Sequence, residues 1–142
     1  MGDPAETPLI LVIDDDEAVL QVYQDLLEDD GYRLSVHSYP PADPEEVRRL
    51  RPNLILLDLL FGEEDLGWDF LRMIKTEAST ARVPVVVATA NQRFVDRYRS
   101  QFDDWNCPVV LKPFDIEDLS ASLRQALLDA EDSGGDSTPR RR

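Results

Sequence analysis

One cysteine, Cys107, and one histidine, His37, are all the chain has of either residue. A lone cysteine excludes an internal disulfide framework and a cysteine-rich metal site, and a lone histidine argues against a zinc centre or a histidine-based triad. No apolar run approaches the roughly twenty residues of a membrane span. The opening M-G-D-P-A-E-T-P is acidic and proline-containing, unlike a signal peptide. The expected compartment is therefore the cytoplasm, with no membrane contact. Basic residues are scarce: 15 against 29 acids, a formal charge of −14. That balance argues against nucleic acid, whose phosphates reward the opposite sign, and suits a cation or a basic protein surface. Solubility accounts for the same charge equally well. Lysine is rarest among the common charges, with only Lys75 and Lys112 present, so a lysine in an apolar setting carries unusual weight.

What the chain does have is a set of short apolar runs that end in functional side chains. At 142 residues it fits one domain, large enough for a core without staples. Leu54–Leu57 runs unbroken into Asp58, between Arg51-Pro52 and Gly62, and reads as a strand buried on both faces. Leu9–Ile13 does the same and ends in Asp14, Asp15 and Asp16. Val83–Thr89 is a third such run and Cys107–Leu111 a last short one, weakened at its start by Pro108. Arg33–Ser38 is a weaker strand with alternating Leu34 and Val36.

Helical patterns separate these runs. Val19, Val22, Tyr23, Leu26 and Leu27 fall at helical spacing, stopping near Asp30-Gly31. Asp43-Pro44-Glu45-Glu46 is a helix start, with an Asp cap, Pro at the first helical position and Glu at the third. Gly67–Glu77 places Phe70, Leu71 and Ile74 inward. Residues 91–102 read as one helix carrying Phe94 or Val95, Tyr98 and Phe102. A final helix opens at Asp115 with Ile116, Leu119, Leu123 and Leu127 on one face. Five βα repeats imply a parallel sheet with helices on both faces. Residues 1–7 are expected to be a flexible leader, 8–130 the folded domain and 131–142 a disordered tail.

In an open α/β sheet, ligands bind at the carboxyl ends of the strands. Asp14-Asp15, Asp58, Thr89 and Lys112 each end a different strand, so a parallel sheet gathers all four on one rim. Singly, each has a plainer explanation. Asp16 suits the positive end of a helix dipole, and Thr89 is an ordinary end for a Val-rich strand. Together they are more informative. Two carboxylates about 4 Å apart repel by roughly 4 kcal/mol at an effective dielectric near 20, so three acids on one rim must raise their pKa values or bind a counterion. Oxygen-only ligands select a hard cation such as Mg²⁺. Such a site beside a hydroxyl and an ammonium suits a phosphoryl group.

The motifs L-I-L-V-I-D-D-D, P-N-L-I-L-L-D-L, V-V-V-A-T-A and V-V-L-K-P-F stand in an order and at a spacing that resemble the receiver domain of two-component response regulators, over about residues 8–129. The resemblance implies a flavodoxin-like (βα)5 doubly wound sheet of strand order 2-1-3-4-5. It implies that Asp58 accepts a phosphoryl group from a sensor histidine kinase or phosphotransfer protein. Asp15, Asp58 and the Leu60 carbonyl would ligate Mg²⁺, with Asp14 acting largely through water. Lys112 would pair with the acyl phosphate, Thr89 would move toward it as the switch, and Lys112-Pro113 would be cis. The implied protein is a stand-alone receiver without an output domain, a signalling phosphoacceptor rather than an enzyme. It would bind an unknown downstream protein through its fourth and fifth helices and fifth strand, a face that also allows a homodimer.

Three features depart from the usual receiver. Val109 stands three residues before the lysine, where an aromatic is usual, leaving Tyr98 and Trp105 as substitutes. Trp105-Asn106 replaces a Gly-Ala pair. The loop after Asp58 lacks Met-Pro and carries Gly67 one residue late. Two rival readings are a phosphorylation-independent scaffold on the same fold and a haloacid-dehalogenase-type phosphohydrolase, whose Asp-x-Asp spacing is present in Asp14–Asp16. Apolar Leu60, two residues beyond Asp58, should hinder the water that hydrolyses an acyl phosphate. Leu60→Asn is thus expected to speed phosphoryl loss, followed by intact mass after donor removal; an unchanged or slower rate would refute this.

Overall fold

A computed structural model describes residues 7–59 and 65–134, with side chains described to residue 131. The expected leader lies outside the described residues except for Thr7. Its five strands are β1 (Leu9–Ile13), β2 (Arg33–His37), β3 (Leu54–Leu57), β4 (Val85–Thr89) and β5 (Val109–Leu111). They form one parallel sheet of order β2-β1-β3-β4-β5, the doubly wound α/β fold expected. β1, β3 and β4 are central and almost fully buried, which is why they read as unbroken apolar runs rather than alternating ones.

Six helices are described: α1 (Glu17–Asp29), α2 (Pro44–Leu50), α3 (Leu66–Thr76), α4 (Gln92–Arg97), α5 (Arg99–Asp104) and α6 (Ile116–Gly134). Alternate side chains of the central strands feed two cores. Leu11, Ile13, Ile55, Leu57, Val85 and Val87 pack with α2 to α5. Ile10, Val12, Leu54, Leu56, Val86 and Ala88 pack with α1 and α6. The period-2 alternation of a strand thus becomes two hydrophobic layers of a three-layer domain.

Local chemistry accounts for most of the helix ends. Asp16 accepts the Ala18 and Val19 amides at the start of α1, and Gly31 takes a φ of +92° beyond its end. Asp43 accepts the Glu45 amide with Pro44 in the first turn of α2. At the end of α5, Asn106 adopts φ +53° while its amide reaches Asp103 and that of Cys107 reaches Phe102. This is a Schellman closure in which asparagine takes the left-handed position usual for glycine. Lys75, one of the two lysines, donates to the Ala81 and Val83 carbonyls and ties the loop entering β4; burial lowers its pKa.

Several expectations on the helices need correction. The single helix over 91–102 is two short ones joined at Tyr98, whose backbone is non-helical. The inward face of α1 is Leu20, Tyr23 and Leu27, while Val22 is 48% exposed. In α6, Leu119, Leu123 and Ala126 are buried, while Ile116, in the first turn, is half-exposed. That helix also runs to Gly134, beyond the boundary at 130; the rest of the expected tail lies outside the described residues.

Cys107 is 6% exposed, and its burial pushes the thiol pKa from an ordinary value near 9 to about 11. The unfolded chain loses this proton first, so the contribution to stability is complete below pH 9 and is lost as pH rises through 11. Lys75 and Tyr23 also titrate in the alkaline range, so the comparison must be differential. Urea unfolding of the native chain and Cys107→Ala should show their stability difference shrinking by roughly 2–3 kcal/mol across that window.

Candidate functional site

The site is assembled where the strands end. The Asp58 amide donates to the Ile13 carbonyl at 3.0 Å, which sets Asp58 beside the end of β1. The Asp14 amide donates to His37, and that of Lys112 to Thr89 at 2.9 Å. Each of these bonds continues a parallel ladder by one step, so the register of the sheet itself delivers the functional residues to a common rim.

Asp14, Asp15 and Asp58 then each place a carboxylate oxygen within 4.8 Å of one another. They differ in environment: Asp14 is 1% exposed, Asp58 half-buried and Asp15 exposed. The Lys112 ammonium lies 2.8 Å from Asp14 Oδ2 and 3.6 Å from Asp58 Oδ2. Asp14 Oδ1 also accepts the Asp16 amide at 3.0 Å. A buried carboxylate is costly unless paired and hydrogen-bonded, and Asp14 is both. The Lys112-Pro113 peptide is cis. The donor set is oxygen alone, which fits a hard divalent ion such as Mg²⁺ and offers nothing for a soft metal.

The remaining expected residues divide. Thr89 is buried at the end of β4, and its hydroxyl accepts the Asn91 amide at 3.2 Å, an interaction within its own turn. Leu60, whose carbonyl was the fourth expected ligand, lies outside the described residues. Asp16 is the α1 cap, as its plainer explanation held.

Two features escaped the sequence. Gly67 packs directly under the phosphoacceptor candidate: an added Cβ would lie 2.2 Å from the Asp58 carbonyl oxygen and 2.5 Å from Leu59 backbone. The next residue, Trp68, is the hub of an aromatic cluster, its ring 4.9 Å from Tyr98, 5.2 Å from Phe94, and 5.6 Å from Phe102 and Trp105. Tyr98 and Trp105, the substitutes considered for the missing aromatic at 109, thus pack on α3 rather than standing alone on the surface. A Gly-Trp pair signals close approach followed by packing only once its neighbours are known.

The family model for the response regulator receiver domain matches residues 10–124. This chain belongs to the response regulator receiver family. Among curated relatives, the DNA-binding response regulator MtrA of Mycolicibacterium smegmatis is 33% identical over 126 residues, covering 87% of this chain and 52% of the relative. The DNA-binding dual master transcriptional regulator RpaA of Synechocystis is 32% identical over 120 residues, covering 84% and 49%. The receiver thus spans about half the length of the curated relatives it matches. In fold it is similar to a CheY-like receiver domain protein from Methanospirillum hungatei, at TM-score 0.72, 20% identity and coverage of 91% and 100%. It is also similar to the receiver domain of a sensor histidine kinase from Pseudomonas aeruginosa, at TM-score 0.64, 25% identity and coverage of 85% and 98%; that structure has a magnesium ion coordinated in its active site cleft.

In this receiver the three atoms nearest to a Cβ at Gly67 are all backbone, so no flexible side chain end can yield to relieve the contact. Gly67→Ala should cost about 1–3 kcal/mol in urea unfolding, the usual cost of overpacking; a variant as stable as the native chain would show that α3 can back away from Asp58 freely.

Proposed function

We propose that this receiver accepts a phosphoryl group on Asp58 from a phosphohistidine donor and signals by the resulting change in protein binding. The observation that carries the reading is the Lys112 ammonium held between Asp14 and Asp58, at 2.8 and 3.6 Å, on the same rim as three converging carboxylates. An Asp58 carboxylate oxygen attacks phosphorus, the phosphorus–nitrogen bond to the donor imidazole breaks, and the imidazole leaves with the bonding pair and is protonated. Lys112 is within reach to offset charge on the phosphoryl oxygens. Asp14, Asp15 and Asp58 are the side chains that would hold Mg²⁺, with the Leu60 carbonyl as a further ligand. When bound, the ion supplies positive charge to the same oxygens. Thr89 is the proposed hydroxyl that turns from its own loop toward the acyl phosphate.

The chain's role is that of a phosphoacceptor rather than a turnover enzyme, in the cytoplasm. Among the described residues no helix is long and apolar enough to cross a membrane. The Asp-x-Asp reading of Asp14–Asp16 is disfavoured because the Asp16 carboxylate is committed to two amides of α1. The downstream protein contact, or a second copy of the chain, is proposed on the β5 edge with α4, α5 and α6, where Leu111 and Ile116 are exposed. The expectation of no nucleic-acid contact came from charge alone. The curated relatives are named DNA-binding regulators and are about twice as long, so that expectation is not extended to a whole regulator.

With Mg²⁺ and a small acyl-phosphate donor, intact mass should show the gain of one phosphoryl group, absent in Asp58→Asn. No gain, even with a competent kinase, would favour the phosphorylation-independent scaffold.

A further inference from the structure

Tyr23 lies on the inner face of α1, 1% exposed, with its ring stacked on Phe114 at 6.1 Å and 12° between planes. Phe114 follows Lys112 by two residues across the cis Lys112-Pro113 peptide. The core cluster that holds Tyr23 includes Val12, Leu56, Ala88 and Phe114. Each of these is one or two residues from Asp14, Asp58, Thr89 or Lys112, so the ring belongs to the core layer that leads up to the acidic rim. Its hydroxyl is the one buried side-chain polar atom among the described residues that makes no hydrogen bond. A buried hydroxyl without a partner is a cost on the resting fold, and phenylalanine would fill the same space without that cost.

The electrostatics of the rim say where such a donor is needed. Asp14 is the most buried of the three acids, and Lys112 is its closest charged partner, at 2.8 Å. A phosphoryl group on Asp58 brings further negative charge and competes for the same ammonium. As Lys112 turns toward it, Asp14 gives up a charge-assisted bond in a place where water cannot easily replace it.

We propose that Tyr23 is a positioning residue of the phosphorylated receiver: its hydroxyl donates to the Asp14 carboxylate when Lys112 turns to the phosphoryl group, and so frees the lysine to do so. The assignment rests on the reading of Asp58 as phosphoacceptor. Burial first, and then the charges of Asp14 and Asp58, raise the phenol pKa well above the ordinary tyrosine value. The hydroxyl therefore remains a donor throughout the neutral range. The wider consequence is a receiver whose α1 core senses occupancy of the site, in a chain that has Val109 where an aromatic reporter is usual.

Tyr23→Phe keeps the ring and its stack on Phe114 and removes only the oxygen. Three measurements on the full chain test the proposal. Thermal unfolding of the unphosphorylated variant should equal or exceed that of the native chain, since no bond is lost; a clear loss of stability would show that the hydroxyl already has a partner and overturn the idea. The rate of phosphoryl gain from a small acyl phosphate with Mg²⁺, read by intact mass, should fall about fivefold, the worth of roughly one hydrogen bond. In ¹³C-tyrosine-labelled protein held phosphorylated by excess donor, the ring carbon bearing the Tyr23 hydroxyl should shift, the signal being assigned by its absence in Tyr23→Phe. A merely structural tyrosine would not show this. Phosphoryl gain by the native chain with an unmoved Tyr23 signal, or with a native rate in Tyr23→Phe, overturns the role of Tyr23 alone. Absence of phosphoryl gain in the native chain overturns the Asp58 reading and this one with it.

Discussion

The ion pair between Lys112 and Asp14 joins residues 98 positions apart in the chain, and the arrangement of the rim depends on it. Without the ammonium, a carboxylate exposed by only 1% would stand beside two others and lose its ion pair. An unpaired charge in such a place costs several kcal/mol, which is more than a small domain can readily give up. With the ammonium in place, that cation is shared between two of the three acids, 2.8 Å from Asp14 and 3.6 Å from Asp58. On the proposed reading, that sharing suits the rim to a hard cation and lets Lys112 answer a new negative group on Asp58.

The sheet and its flanks hold this arrangement by backbone geometry rather than by side-chain adjustment. One ladder bond past each strand end positions Asp14, Asp58 and Lys112. Gly67 lets α3 close against the carbonyl of Asp58, and the adjacent Trp68 carries that contact into the aromatic cluster of α4 and α5. Aromatic contacts of this kind are worth about 0.5–1.5 kcal/mol each beyond their burial. The cluster is therefore a substantial connection between the strand that ends in Asp58 and the helices near the β5 edge. Tyr23 provides a second connection, on the opposite layer of the sheet, from the rim into α1.

Much of this was readable before any coordinates. Unbroken apolar runs identified β1, β3 and β4 because these strands are buried on both faces, and the acids and lysine at their ends stood out against that background. Residues whose environment is made by distant neighbours were less legible. Periodicity grouped Tyr23 with the apolar stripe of α1, where its ring belongs, and could not show that its hydroxyl finds no partner. The same pattern placed Val22 and Ile116 inward, although both face solvent, since helical spacing gives a face but not the width of what covers it. Tyr98 fits a continuous helical pattern, yet the helix breaks there, where its ring packs on Trp68 and its backbone leaves the helical region.

By itself the sequence determined the order of elements, the parallel α/β class, and which side chains end the strands, because burial and turn chemistry act over a few neighbouring residues. It also determined the scarcity that gives Lys112 its weight. Only the tertiary structure decided that the ammonium reaches Asp14 more closely than Asp58, that Gly67 lies against the Asp58 backbone, and that Tyr23 sits in the core layer leading up to the rim with an idle hydroxyl. Those are relations between residues from nine to 98 positions apart. Their distances follow from how two layers of helices settle on a twisted sheet, and no local pattern carries that information.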